Sequence, residues 1–373
     1  MKIALLVPGG VDRSGTHRVI PCILWLIERL VAAGDEVHVF AFRQEPRPGT
    51  WPLLGATVHN AGSAPRRSRM LAQLVAEHRR APFDILHPLW AIPQGLVAAL
   101  AGRLLDVPVV LGLPGGDLAV HPDIGYGGML KWRSRLMTRL ALKGADRIVV
   151  PSDFLRDQAL ACGVDAIRIP FGVALDRWPA RTAVRRSPGS PLRLLHVASL
   201  NAVKDQPMLL RAAAALRDQD VDFRLDIIGE DTLGGAIQRL AATLDLDRLV
   251  RFHGFIPHAG LRPWMEQADL LLVGSRHEAG PIVTLEAALV GVPTVGTAVG
   301  HIADWSPEAA IAVPVGDSAA LARAVARLAA DEEERLRLAL SAQQRAIAED
   351  ADVTAIRTRA LYRALVRPPV GIG

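Results

Sequence analysis

Along the chain, short aliphatic and β-branched runs alternate with longer stretches in which apolar residues recur every three or four positions. Continuous short runs of this kind mark strands buried on both faces, and the intervening period is that of helices laid against them. The pattern therefore predicts an α/β protein whose parallel sheets are covered on both sides. In the first half the predicted strands are Ile3–Val7, Val37–Phe42, Asp84–His87, Val109–Leu113, Arg147–Pro151 and Ile167–Pro170. The clearest helix follows the first strand: Val19/Ile20, Ile23/Leu24, Leu26/Ile27 and Leu30/Val31 share a face, and Gly34 closes it. Between Asp176 and Pro191 the periodicity gives way to a stretch rich in Pro, Arg, Ser and Gly that reads as a linker. The alternation then restarts with strands Leu192–Ala198, Phe223–Ile228, Val250–Phe252, Leu270–Val273 and Thr294–Val295. Helical stretches such as Pro207–Arg217 and Ala319–Ala330 separate them, and an Arg- and Ala-rich helical stretch, Glu332–Leu365, follows.

A length of 373 residues exceeds what one hydrophobic core usually organises. The expected division is a first Rossmann-like domain over 1–175, a linker over 176–191, a second domain over 192–345, and a helical tail over 346–373 that packs back on the first domain. The opening apolar run, Ile3–Val7, is too short for a signal peptide, and Val19–Ala33 contains Glu28 and Arg29, so no membrane span is expected. Cys22 and Cys162 are the only cysteines, which indicates neither a disulfide framework nor a cysteine metal site. The expected location is cytoplasmic. Arginines and lysines cluster at Arg66, Arg67, Arg69, Arg79 and Arg80, and at Lys131, Arg133, Arg135 and Arg139. Solvated helix faces explain such runs; a peripheral contact with an anionic membrane at its inner face, or an acidic acceptor lying against the first domain, is the sharper reading. Nucleic acid is not expected as a partner.

Parallel sheets of this kind take their ligands where strands end and helix N-termini present free N–H groups. The richest such loop is Ser275-Arg-His-Glu278-Ala-Gly280-Pro-Ile282-Val283-Thr284-Leu-Glu286, between an apolar strand and a helix. Two carboxylates eight residues apart suit hydrogen bonds from sugar and ribose hydroxyls. Backbone N–H groups at Gly280, Ile282, Val283 and Thr284 suit a diphosphate. On spacing alone, a solvated loop acid at Glu278 and a helix-dipole partner in the first turn at Glu286 stand equally well.

The stretch from Glu278 through Glu286, Ala287-Ala288, Gly291-Val-Pro293, Thr294-Val-Gly-Thr297 and Gly300 resembles the signature of the family four, or group 1, retaining glycosyltransferases. The resemblance implies the GT-B fold: two Rossmann-like doubly wound parallel-sheet domains facing a central cleft. It also implies transfer of a sugar, with retention, from a nucleoside diphosphate sugar to an acceptor hydroxyl on a carbohydrate, lipid or small molecule, with no bound cofactor and no metal. Glu278 then contacts the transferred sugar and Glu286 the ribose. Upstream, His196-Val-Ala-Ser199-Leu-Asn-Ala-Val-Lys204 is similar to the family's strand and diphosphate-gripping loop, with Lys204 in place and Ser199 where Arg is usual; Arg276 is a substitute to consider. Ile228-Gly229-Glu230 and Gly254-Phe255-Ile256-Pro257 are similar to the loops that meet the nucleotide, the second through main-chain atoms at the base. In the first half, Pro8-Gly9-Gly10 through Ser14-Gly15-Thr16 resembles the family's glycine loop, a plain turn being the other explanation. Leu113-Pro114-Gly115-Gly116-Asp117 corresponds to a His-Gly-x-Asp stretch with Pro114 in the His position, leaving His87 and His17 as weaker catalytic candidates. Phe171 stands for the Asn of the hinge loop. His253 and His258 lack the carboxylate cluster of a metal site. A non-catalytic sugar-nucleotide binding protein and an epimerase of related fold remain the alternatives.

Overall fold

The computed structural model describes residues 1–366. It divides into two compact units, Met1–Phe171 joined by the chain from Ala351 onward, and Gly172–Asp350.

The strands of the first unit are β1 (Lys2–Val7), β2 (Glu36–Ala41), β3 (Gly49–Leu53), β4 (Ala56–Asn60), β5 (Ile85–Pro88), β6 (Val110–Gly112), β7 (Arg147–Val150) and β8 (Ile167–Arg168). Hydrogen bonding orders them β3-β4-β2-β1-β5 in one sheet and β6-β7-β8 in another, with single bridges Leu86↔Val109 and Leu89↔Gly112 linking β5 to the chain at β6. All pairs are parallel except β3 on β4. Every residue of β1 is buried, as expected of a strand with a neighbour on each side and a helix on each face. The hairpin of β3 and β4 is missing from the sequence reading. Its outer strand, Gly-Thr-Trp-Pro-Leu, buries only Trp51 and Leu53, and Pro52 is tolerated because the strand lies at the sheet's edge. The helix Pro21–Ala32 packs against the helix Ala351–Leu365. Arg29 Nε donates to Asp352 at 3.0 Å and Arg359 Nε to Asp35 at 2.7 Å across that contact.

The second unit holds β9 (Leu192–Val197), β10 (Phe223–Ile228), β11 (Val250–Gly254), β12 (Leu270–Val273), β13 (Thr294–Thr297) and β14 (Ala310–Val313). Their order is β11-β10-β9-β12-β13-β14, with every pair parallel. The chain winds outward from β9 in one direction and then, from β12, in the other, which is the Rossmann order with its switch point between β9 and β12. The core beneath is aliphatic, with Leu194, Leu225, Leu270 and Val295 from the strands meeting Leu209, Ala213, Leu321 and Val325 from the helices.

The stretch 176–191 is laid along this unit by backbone bonds: Arg181 N donates to Leu289 O at 2.8 Å, Arg186 N to Glu332 at 2.8 Å, and Val184 O accepts from Arg335 at 2.7 Å. The helical stretch Glu332–Leu365 is two helices, Glu332–Ala348 and Ala351–Leu365, one in each unit.

Candidate functional site

The switch point of the second unit is where polar side chains gather. The β9–β12 ladder stops at the pair Leu195↔Leu271, and beyond it a side chain takes over. His196 Nδ1 donates to Leu272 O at 2.9 Å, which leaves Nε2 as the acceptor for Gln206 Nε2 at 3.2 Å; the same Gln206 nitrogen donates to Ser199 O at 3.1 Å. This fixes the His196 tautomer through its hydrogen bonds. Burial drives the His196 pKa down to about 4, with the nearby Lys204 adding to the shift while the Leu272 carbonyl and Glu278 oppose it. Gln206 opens the helix Gln206–Asp218, whose N-cap is Asp205, its carboxylate accepting from Met208 N.

Two loops are thereby held side by side. In the one after β9, Asn201 Oδ1 accepts from the amides of Val203 and Lys204. In the one after β12, Arg276 N donates to Val203 O at 2.8 Å, tying the loops together. Lys204 Nζ reaches Glu278 Oε1 at 2.5 Å, and Ser275 Oγ donates to the same oxygen at 2.6 Å. Lys204 and Glu278, 74 residues apart in sequence, thus form one half-buried ion pair, their side chains 25% and 13% exposed.

Glu286 is buried on the helix Ile282–Leu289, beyond its first turn, so the helix-dipole explanation in its simplest form does not hold. Its Oε1 accepts from His258 Nε2 at 2.5 Å. Trp178 Nε1 donates to the Glu286 carbonyl, and the Trp178 and His258 rings lie 5.2 Å apart. A buried carboxylate needs such partners. His253 likewise donates to Asp226 at 2.6 Å, so each of these two histidines meets a single carboxylate. Among the described residues, the group with ligand-like spacing is His38, His59 and Glu77 in the first unit, where the Lys2 ammonium sits 3.1 Å from Glu77.

The loop after β10 presses on the loop after β9. Ala198 N donates to Ile228 O, Leu200 N to Glu230 O, and Gly229 N to Gly254 O. A Cβ at Gly229 (φ +155°) would collide with the carbonyl of Ala198. Gly229→Ala is therefore expected to cost about 2–3 kcal/mol, read as a lower urea midpoint with unchanged slope; an unchanged midpoint would show that the two loops have room to part. Gly254 turns at φ +67° with open space around it, and Phe255 beside it is 63% exposed. Ile256 and the loop residue Gly280 are half-buried, as are Ile282 and Val283 at the helix start, and Thr284 is buried; Ser199 is exposed, and only its carbonyl is engaged by Gln206.

In the first unit the glycine loop follows β1. Gly10 (φ +79°) has no room for a Cβ beside the Ile20 side chain, so its glycine is required by the turn itself. Gly15 (φ +66°) faces near-open space. Asp117 is buried below β6 and accepts from Ala91 N at 2.8 Å, joining the loops after β5 and β6; burial pushes its pKa up to about 6 against that bond. His87, also buried, shares a 2.5 Å hydrogen bond with Tyr362, and burial lowers its pKa to about 4. His17 is exposed. A cavity of about 640 Å³ in this unit lies at the amino ends of β5, β6 and β7, lined by Asp84, Val109 and Asp146, the face that parallel sheets leave without ligands.

His196, Gln206, Asn201, Ser275 and the His258 partnership with Glu286 were not read as parts of a site. Only an unusual residue, a histidine in a strand otherwise aliphatic at its centre, could have signalled the first of them.

Comparison with known proteins bears on the family and the fold. Residues 191–331 match the family described as glycosyl transferases group 1, and residues 19–172 match the glycosyl transferase 4-like domain. A D-inositol 3-phosphate glycosyltransferase of Thermomonospora curvata is 26% identical, over 95% of this chain and 91% of that one. Among solved structures, a sucrose-phosphate synthase of Thermosynechococcus elongatus superposes with a TM-score of 0.79 at 20% identity, covering 98% of both chains. The HepE protein of Anabaena in complex with UDP-glucose superposes at 0.75 and 18% identity, over 98% of this chain and all of that one. With both halves matched and the Rossmann strand order in place, the chain belongs to the group 1 glycosyl transferases, nucleotide-sugar-dependent enzymes built on the two Rossmann-like domains of the GT-B fold.

Proposed function

We propose that the second unit binds a nucleoside diphosphate sugar along the carboxyl ends of β9–β12 and that its sugar passes, with retained configuration, to an acceptor hydroxyl. The observation that carries this is the Lys204–Glu278 pair across the switch point. The ammonium is one cation that a carboxylate and a departing diphosphate can share, so the acid beside it is free to accept sugar hydroxyls without facing phosphate charge unscreened. The amides of Ile282, Val283 and Thr284 at the helix start, with Gly280 before it, receive the diphosphate, and Ser199 and Gly229 flank it from the neighbouring loops. Glu286 takes the ribose hydroxyls, and the main chain of Gly254, Phe255 and Ile256 meets the base. Gly10, Gly15 and Asp117 belong to the acceptor side in the first unit. Glu278 is the carboxylate closest to the Lys204 charge, and no second acid is paired with it as a nucleophile among the described residues. Departure and attack on one face of the sugar is the mechanism this favours, Lys204 stabilising the diphosphate as the glycosidic bond opens.

The UDP-glucose complex of the Anabaena neighbour makes uridine nucleotides the first to test. In a thermal-shift panel of UDP, GDP, ADP and their sugar conjugates, one nucleotide family is expected to raise the melting temperature, by about 2.7 kcal/mol of added stability at a hundredfold excess over Kd. Glu286→Gln keeps the His258 contact but loses the charge, and is expected to weaken that shift at least about tenfold in Kd, the worth of a charge-assisted hydrogen bond. A wild-type protein that responds to none of the nucleotides would end the donor-site reading, and an unchanged Kd in the variant would end the ribose role.

A further inference from the structure

The helix Trp132–Lys143 of the first unit carries an outward face unlike any a lone soluble helix needs. Trp132, Leu136 and Leu140 recur every four residues and therefore lie along one side, and they are 69%, 52% and 50% exposed. Its inward side is anchored by the buried Thr138 and Ala141. Arg135 and Arg139 border the apolar stripe on one flank and Arg133 on the other, the Arg133 guanidinium lying 5.3 Å over the Trp132 ring. From Asp123 to Asp146 the chain has no acidic residue between those two, but five cations, Lys131, Arg133, Arg135, Arg139 and Lys143. A second basic element adjoins: Arg67, exposed at the start of the helix Arg66–Arg80, donates to Met137 Sδ at 3.7 Å. None of these side chains is engaged in the donor site or in the glycine loop.

We propose that this face docks the protein on an anionic lipid bilayer, with Trp132, Leu136 and Leu140 entering the headgroup boundary and the flanking cations resting on lipid phosphates. A basic helix with a narrow apolar stripe lies in the interface plane in this way, and cations near a negatively charged leaflet are drawn to it within a Debye length. Charge complementarity selects the occupant. A second copy of the same face would set five cations against five, and a nucleic acid backbone would neutralise the arginines but leave three large apolar side chains in water. A bilayer satisfies both sets at once. The docking is independent of the donor site in the second unit.

The test is sedimentation of the full chain with vesicles of phosphatidylcholine alone and of phosphatidylcholine mixed with phosphatidylglycerol, followed by tryptophan emission. The expected result is at least about tenfold tighter association with the anionic vesicles, weakened by high salt. A blue shift of the emission on binding should be lost in Trp132→Phe, since the other tryptophans are buried or half-buried. Leu136→Glu with Leu140→Glu, on a surface where neither side chain supports the core, is expected to abolish binding while the nucleotide thermal shift of the second unit is unchanged. Arg135→Gln with Arg139→Gln should lower the anionic preference without abolishing the nucleotide response. Equal binding to both kinds of vesicle, no binding to either, binding that survives the double glutamate variant, or self-association that depends on Leu136 would each overturn the proposal.

Discussion

Lys204→Ala is expected to lower the rate of sugar transfer by about 10²–10³-fold, the usual consequence of removing one preorganised charge that meets a leaving group. The size follows from where the ammonium sits. It is held by Glu278 at 2.5 Å, and the backbone beneath it is fixed by Asn201 through the Val203 and Lys204 amides, so no reorganisation is needed as charge develops on the diphosphate. The same placement limits the cost to folding. Lys204 is a quarter exposed and Glu278 keeps the Ser275 hydroxyl when the lysine is gone, so the melting temperature should fall by only a few degrees, in line with about 1 kcal/mol for a partly solvated pair. Initial rates with saturating donor and acceptor, measured beside a thermal melt, separate the two effects. A variant that melts normally and transfers at near the wild-type rate would remove Lys204 from the chemistry. Glu278→Gln should fall in the same range, and the double variant should lose little more than either single one, because the two groups act as a unit.

How much of this was legible beforehand follows from which forces leave a local trace in sequence. The central strands β1 and β12 declare themselves because burial on both faces demands unbroken aliphatic runs. Strands β9 and β10 remain legible although Arg193, Arg224 and Asp226 interrupt theirs, and Lys204, Glu278 and Glu286 stand out as charged residues in the loop and helix stretches that follow strands. The strand β3 does not, since an edge strand with Pro52 and one wetted face satisfies neither period. The division of Glu332–Leu365 into two helices is likewise silent: the good helix formers Ala, Arg and Leu occur on both sides of Asp350, and the break depends on which unit each half packs against. Pairings over long separations are hidden for a related reason. His196 finds Leu272 at 76 residues' distance and His258 finds Glu286 at 28, and the sequence, even where it marks both residues, does not pair them. The dipole-partner alternative for Glu286 stayed open on spacing alone because its exact place on the helix, and the histidine that meets it, are not local properties of the sequence. The order of the strands, which brings the β9 and β12 loops together, is the fact that converts separate motifs into one site.

Acidification should unfold the second unit through the group that braces this site. His196 is fully buried and neutral, its pKa lowered from 6.5 to about 4 by burial, and in the unfolded chain it titrates near 6.5. Between those values the unfolded chain binds the proton and the folded one does not, so stability is complete above about pH 6.5 and declines as the pH falls towards 4. The loss reaches roughly 2–3 kcal/mol by about pH 4.5, a large share of an ordinary domain's stability. In the first unit His87 acts in the same direction, but Asp117 opposes it: its carboxyl, raised to about 6 by burial, penalises the folded state at neutral pH and relieves that penalty on acidification. Glu332, which burial pushes up and the Arg335 guanidinium holds down to a net lowering, adds stability that is lost as the pH falls through the acid range. Melting temperatures followed from pH 7 to 4.5 should therefore show a steep decline. In His196→Asn that decline should flatten, the amide nitrogen standing in for Nδ1 towards Leu272 without a proton to gain, at the cost of a lower plateau because Gln206 loses one of its two acceptors and keeps only Ser199 O. A variant whose acid profile keeps the wild-type slope would show that the proton is taken up elsewhere, and that the bond between β9 and β12 at the switch point is not what fails when the protein is acidified.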